Sequence, residues 1–213
     1  MRQIRRLAWK VVAQTGELRF HQRNEWRRSP DFMRQTAALF EWWGYAPTAF
    51  DDMRIIDIGA GSRLRSRYFA GARIVAIEPL GDRFIETISW SDLSDAEAVY
   101  SLPAERYIPE LAQTAAFVMC INVLDHTYSA DAIIANAYAY LGAGGEFALS
   151  VDLHAQGHGG HMHPLHFDRD TVRTALIRAG FEPLRDYDGL GPTGKDSYGH
   201  GQAYTVIGRR ATA

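Results

Sequence analysis

Apolar positions along the chain come in two patterns. Some form short uninterrupted runs rich in Ile and Val; others recur every three to four residues within polar stretches. The first pattern belongs to strands buried on both faces of a parallel sheet, the second to amphipathic helices. On this reading strands lie at 54–57, 73–77, 97–101, 116–121, 146–152, 181–187 and 202–208. Between them the chain predicts a helix opened by Ser62 and running through Leu64, Tyr68 and Phe69, then helices at 81–88, 105–113, 131–141 and 169–179. Asp168 caps the last of these and Gly180 closes it. Gly142, Gly144 and Gly145 form the turn before the fifth strand. Upstream, Ser29-Pro30-Asp31 supplies a cap, a first-turn proline and an acid for a helix carrying Phe32, Ala37, Leu39, Phe40, Trp42 and Trp43 and ending at Gly44. Residues 45–53 read as a linker. Leu7, Val11 and Val12 suggest one more helical face. Alternating strands and helices predict an α/β domain at 49–213 behind an N-terminal helical arm at 1–48.

Composition narrows this picture. The chain has 213 residues and is 46% hydrophobic, enough for one domain with a real core. Its net charge of −2 argues neither for nor against nucleic acid. Charge is uneven, however: residues 1–28 hold most of the local basic excess. The arm reads either as a solvated helix packed at the domain edge or as a surface for an anionic partner, such as a phosphorylated substrate or a membrane face. Cys120 is the single cysteine and cannot form an internal disulfide, which fits a reducing cytoplasm. No apolar run reaches the ~18–20 residues of a membrane span, and Lys10 interrupts the one near the N-terminus, so neither a span nor a secretory signal is expected.

The chemistry concentrates at Asp57-Ile58-Gly59-Ala60-Gly61-Ser62 and at Glu78-Pro79. Gly59 and Gly61 allow a sharp turn and a close ligand. Glu78, at a strand's carboxyl end, stands near the ~20-residue spacing at which an acid accepts from two ribose hydroxyls. A pyrophosphate cofactor would want a third glycine where Leu64 stands, and Asp57 would repel it. A nicotinamide-dependent oxidoreductase is disfavoured on both counts. A cationic nucleoside without phosphate, such as S-adenosylmethionine (SAM), suits Asp57 better. Asn122, Asp125 and His126 follow the apolar run 116–121, at the carboxyl edge where open α/β sheets bind ligands.

The Asp-x-Gly-x-Gly loop with Glu78, the run from Asn122 to His126, and the helix, Leu-x-x-Gly-Gly turn and strand around 131–152 together resemble the class I SAM-dependent methyltransferases. This family often has a further glycine where Arg63 stands. The resemblance covers about residues 54–210. It implies a three-layer, Rossmann-like sheet of seven strands, mostly parallel with the last antiparallel. It also implies SAM as cofactor, S-adenosylhomocysteine as product, and a cofactor-binding set of Asp57, Gly59, Ala60, Gly61, Glu78, Pro79, Ala104, Glu105 and Asn122. Ala104 and Glu105 carry the adenine-side role; Glu105 otherwise simply opens a helix.

The stretch 152–168 holds five of the eight histidines. A metal site is conceivable from imidazoles alone, but no tight structural zinc spacing is present. The expectation is no metal and a substrate loop, with His166-Phe167-Asp168 matching the family's lead into a helix. A hydroxyl acceptor needs a base, and His126, then His163 or His166, are the candidates. The expected partner is a small molecule, with no nucleic acid and no membrane span; a homodimer is left open. The segments Gly16 to His21 and Asn24 to Arg27 faintly resemble lead-in segments of methyltransferases of sugar and surface-glycan biosynthesis, which points to a hydroxylated acceptor. A SAM-binding regulator that does not catalyse is the alternative.

Overall fold

Ile55, Ile56 and Ile58 have no solvent exposure, because the strand that carries them is covered on both faces. The computed structural model describes residues 14–153, 165–193, 195–199 and 201–212. In chain order its elements are α1 (14–23), α2 (Glu25–Arg28), α3 (Pro30–Trp42), β1 (Arg54–Ile58), β2 (Arg73–Ile77), α4 (Gly81–Thr87), β3 (Ala98–Tyr100), β4 (Ala115–Ile121), α5 (Ala130–Tyr140), β5 (Leu141–Leu153), α6 (Arg169–Arg178), β6 (Phe181–Asp188) and β7 (Gln202–Arg210). Leu7, Val11 and Val12 lie outside the described residues.

One seven-stranded sheet runs β3-β2-β1-β4-β5-β7-β6. β1 pairs in parallel with β2 and β4, and β4 with β5; β7 is antiparallel to both β5 and β6. The expected three-layer sheet with an antiparallel last strand is thus present. Side chains alternate across the pleat. Ile56, Ile58, Val118, Cys120 and Phe147 pack under α5 and α6. Ile55, Phe117, Met119 and Ala148 face Leu39 and Phe40 of α3, Trp43 just past its end and Phe84 of α4. Strand order reverses between β1 and β4, which opens the ligand crevice at their carboxyl ends.

The elements differ from the sequence reading in four places. The helix expected after the glycine turn is only a 3-10 turn, Arg65–Tyr68, because side chains claim its amides: Leu64 N–H donates to Asp92 Oδ1 at 2.8 Å and Ser66 N–H to Asp57 Oδ2 at 3.4 Å. The helix expected at 105–113 is likewise reduced to the 3-10 turn Pro109–Leu111, as a proline in that run removes a donor. The glycine turn at 142–145 lies within β5 as an irregularity opposite Ala115 and Phe117, with Gly144 at φ +75°. Residues 45–53 are no loose linker. Tyr45 and Phe50 are buried with Phe69 and Phe117, and the Phe50 and Phe117 rings stack 4.7 Å apart. Each such ring contributes roughly 1.5–3 kcal/mol by leaving water. Among the described residues no helix is long and apolar enough to cross a membrane.

Candidate active site

The carboxyl edge of β1, β2 and β4 gathers most of the expected residues. Asp57 faces the α3 side, 3% exposed; its Oδ2 accepts from Ser66 Oγ at 2.8 Å. Burial pushes this carboxyl up to about 6. Gly59 continues the ladder by donating to the Ile77 carbonyl at 2.8 Å, and Gly59 and Gly61 turn at φ +70° and +66°. Left-handed backbone of this kind costs a side-chain-bearing residue about 1–2 kcal/mol, so glycine is the fitting choice at both.

Glu78 closes the turn from the β2 side. Its Oε2 accepts the Gly61 amide at 2.9 Å and its Oε1 accepts the Leu80 amide at 3.0 Å. Burial pushes it up to about 7. Ala60 is buried and Pro79 half-buried beside these groups. Asp57, Gly59, Ala60, Gly61, Glu78 and Pro79 therefore form one constellation. Ala104 and Glu105 sit beyond β3 and are tied to the β4 side. The Ala104 carbonyl accepts from Asn136 Nδ2 at 2.8 Å, and Glu105 Oε1 accepts the Tyr128 amide at 3.1 Å. Asn122 ends β4 at φ +56° and donates its amide to the Ser150 carbonyl at 2.8 Å.

His126 follows in the turn Leu124–His126, its Nε2 3.8 Å from Asp125 Oδ1. The Leu165 amide donates to the Asp125 carbonyl at 3.5 Å, which returns the chain carrying exposed His166 to the same rim. His163 lies outside the described residues, with His154, His158 and His161. Among the described residues no three potential ligands gather to hold a metal.

Sequence reading missed the contribution of the arm. His21, 2% exposed, brings Nδ1 to 2.7 Å from Ser62 Oγ and accepts the Ser62 amide there at 3.3 Å. Its Nε2–H is left for Glu17 Oε1 at 3.0 Å. Burial pushes His21 down and keeps it neutral. Burial works against Glu17's charge, but the His21 hydrogen bond holds that carboxyl below its ordinary value. Arg63 turns to the arm. It donates to the carbonyls of Arg27, Arg28 and Ser29 at 2.6, 2.8 and 3.0 Å, satisfying acceptors left open where α2 ends. Ser62, expected to cap a helix, serves the arm instead. The Glu17/His21 spacing of one helical turn was the only local signal.

The loop between β6 and β7 also reaches this rim. Tyr198 donates its amide to Asp152 Oδ1 at 2.8 Å, and its hydroxyl lies 2.6 Å from Ser150 Oγ. Burial pushes the phenol up to about 12. Lys195 Nζ stands 4.2 Å above the Trp26 ring of α2.

No family model matches the sequence, and no curated protein matches it. Solved structures do match the fold. A 1,6-didemethyltoxoflavin-N1-methyltransferase from Burkholderia thailandensis, solved with that substrate and S-adenosylhomocysteine bound, is 16% identical with a TM-score of 0.64; the match covers 96% of this chain and 89% of that one. The N-methyltransferase NodS from Bradyrhizobium japonicum WM9 is 13% identical with a TM-score of 0.60, covering 81% and 94%. The [4+2]-cyclase SpnF is 14% identical with a TM-score of 0.62, covering 85% and 81%. The chain has the class I SAM-dependent methyltransferase fold. As SpnF carries the fold with a cyclase's name, chemistry has to be argued from the site.

Proposed function

We propose that this protein is a SAM-dependent methyltransferase acting on a small molecule, with a hydroxyl (or amine) of a hydroxylated metabolite such as a sugar or glycan precursor as acceptor. The observation that carries the reading is Glu78: a buried carboxylate at the tip of β2, bonded to the amide of Gly61 in the turn that follows β1. An acid so placed accepts from ribose hydroxyls. Asp57, in turn, supplies negative charge near a ligand that is itself cationic. The residues thus fit SAM, which supplies an electrophilic methyl group when bound. Glu78 would hold its ribose, Asp57 and Gly59 to Gly61 its amino-acid end, Ala104 and Glu105 its adenine, and Asn122 the boundary with the acceptor.

The chain's part in such a reaction is mostly alignment, worth up to ~7–11 kcal/mol when two reactants are held in line. His126, at the rim beside Asp125, is the first candidate to take a proton from a hydroxyl; His166 and His163 come next. An amine acceptor would need none of them. The N1-methyltransferase solved with 1,6-didemethyltoxoflavin supports a small-molecule acceptor, and it and the N-methyltransferase NodS bear on the amine option. A second reading, a SAM-binding protein that transfers no methyl group, rests on Arg63: it stands where the family often has glycine and is spent on the arm.

Titration calorimetry with SAM, S-adenosylhomocysteine and NAD, on wild type and Glu78→Ala, tests the cofactor. SAM binding lost in the variant supports the reading; binding of NAD alone overturns it. A panel of nucleotide sugars and glycosides then separates the two readings, since a non-catalytic protein would bind SAM and methylate nothing.

A further inference from the structure

Three hydroxyls meet at the carboxyl edge of β5. Ser150 and Thr205, paired across β5 and β7, have no solvent exposure. Thr205 Oγ1 donates to Ser150 Oγ at 2.8 Å, and the Tyr198 hydroxyl stands 2.6 Å from the same oxygen. The Tyr198 amide donates to Asp152 Oδ1 at 2.8 Å. The phenol is thus held at both ends, although it comes from the loop between β6 and β7.

Each hydroxyl has one proton to give. Ser150 takes the proton of Thr205. Its own can go only to Tyr198, since among the described residues its hydroxyl has no other partner. If Tyr198 donated instead, the Ser150 proton would be unmet in a place that water does not reach, which is costly. Tyr198 therefore accepts from Ser150, and its own proton has no acceptor among the described residues. The phenol, pushed up to about 12 by burial, keeps that proton at neutral pH. Tyr198 as a whole is only half-buried, so a ligand can reach it.

Strand register places this donor across the crevice from the glycine turn. Asp57 is level with Met119 on β4 and, through it, with Ala148 on β5. Ser150 lies two strands over from Asp57, about 10 Å, and two residues nearer the carboxyl edge. The Asn122 amide bonds the Ser150 carbonyl, which ties the hydroxyls to the end of β4. Tyr198 is therefore on the side away from Glu78, where an acceptor would approach.

We infer that the Tyr198 hydroxyl binds the acceptor by donating to one of its hydroxyl oxygens. A hydroxyl suits this donor, because its oxygen can accept from the phenol while its proton remains available to a base. The inference deepens the methyltransferase reading and rests on it for the identity of the acceptor. Ser150 and Thr205 are positioning residues that act through the phenol, and the β6–β7 loop takes part in choosing the substrate.

The test is calorimetry on wild type, Tyr198→Phe and Ser150→Ala, with melting temperature as the check on folding. Each is titrated with S-adenosylhomocysteine and then, loaded, with UDP-glucose, GDP-mannose and methyl α-D-glucopyranoside. Tyr198→Phe keeps the ring and loses only the oxygen. It should weaken the tightest-binding of these sugars by about tenfold and leave S-adenosylhomocysteine unaffected. Ser150→Ala should weaken the same sugar less, because the phenol keeps its proton and loses only its holder. A folded Tyr198→Phe that keeps the sugar's affinity overturns the inference, as does a loss confined to Ser150→Ala. An equal loss of S-adenosylhomocysteine also overturns it, since the phenol would then support the whole crevice. If none of the sugars binds loaded wild type, the hydroxylated acceptor is wrong and the inference falls with it. Should S-adenosylhomocysteine itself not bind wild type, the SAM reading fails separately, and the same sugar titrations on the unliganded protein decide the role of Tyr198.

Discussion

His21 and Ser62, 41 residues apart, meet at 2.7 Å. One belongs to the arm and the other to the glycine turn, so the segment before α3 is fastened to the part of the domain that would face the cofactor. Glu17 on one side of the imidazole and the Ser62 amide on the other fix its tautomer.

Arg63 is the second fastening. Arg63→Gly would supply the glycine common in similar loops while removing three charge-assisted bonds, a loss of about 1–3 kcal/mol. Amide exchange in residues 14–28 should accelerate while β1 and β4 stay protected. Unchanged exchange in the arm would show that these bonds do not hold it.

Gly59 faces Val123 closely. An added Cβ would come 2.2 Å from Val123 Cγ2, on backbone at φ +70°. Gly59→Ala should therefore lose at least about 2 kcal/mol in urea unfolding, part of it from left-handed strain and part from overlap. Val123→Ala added to it should recover the overlap and leave the strain. A double variant no more stable than Gly59→Ala would place the cost wholly in the backbone.

Stability should depend on pH through Glu78 and Asp57. Their folded values of about 7 and about 6 lie above the ordinary 4.5 and 3.8. The folded chain thus binds these protons more tightly than the unfolded one. The stabilisation is fully present below about pH 4 and is lost as pH rises to about 7; Glu78 alone accounts for about 3 kcal/mol. His21 acts oppositely: held below 6.5, it favours folding as pH rises through that value. Urea titrations from pH 4.5 to 7.5 should show a smaller decline for Glu78→Gln than for wild type. An identical slope would remove Glu78 from the account. A ligand that donates to Glu78 should also release protons near pH 7, seen as different binding enthalpies in phosphate and Tris.

Cys120 has no exposure, and burial pushes its thiol up. Iodoacetamide should leave it unmodified in the native protein and label it only on unfolding. Rapid native labelling would mean that β4 opens far more readily than its packing implies.

The strands were legible because Ile55-Ile56, 74–77 and 116–121 are apolar runs with only one sensible use, and the spacing from Asp57 through Gly59 and Gly61 to Glu78 marked the turn between them. The 3-10 turn at Arg65–Tyr68 was not legible. Its amides go to Asp57 and to Asp92, and the second of these comes from far along the chain. The same holds for the arm. Glu17 and His21 are one helical turn apart and can be read as a pair, but their partner Ser62 is a long-range contact that no local pattern announces. Arg63 looked like a departure from a loop motif; its three acceptors explain it only once α2 is folded beside it.

Residues 17 to 28 touch the glycine turn through His21 and Arg27 and the β6–β7 loop through Trp26 beneath Lys195. Two surfaces far apart in the chain thus share one cover. Lifting that cover for a nucleoside to exchange also strips a contact from the far hairpin, so arrival and departure on the two sides should follow a common clock. Trp26 fluorescence after rapid mixing with S-adenosylhomocysteine would read it.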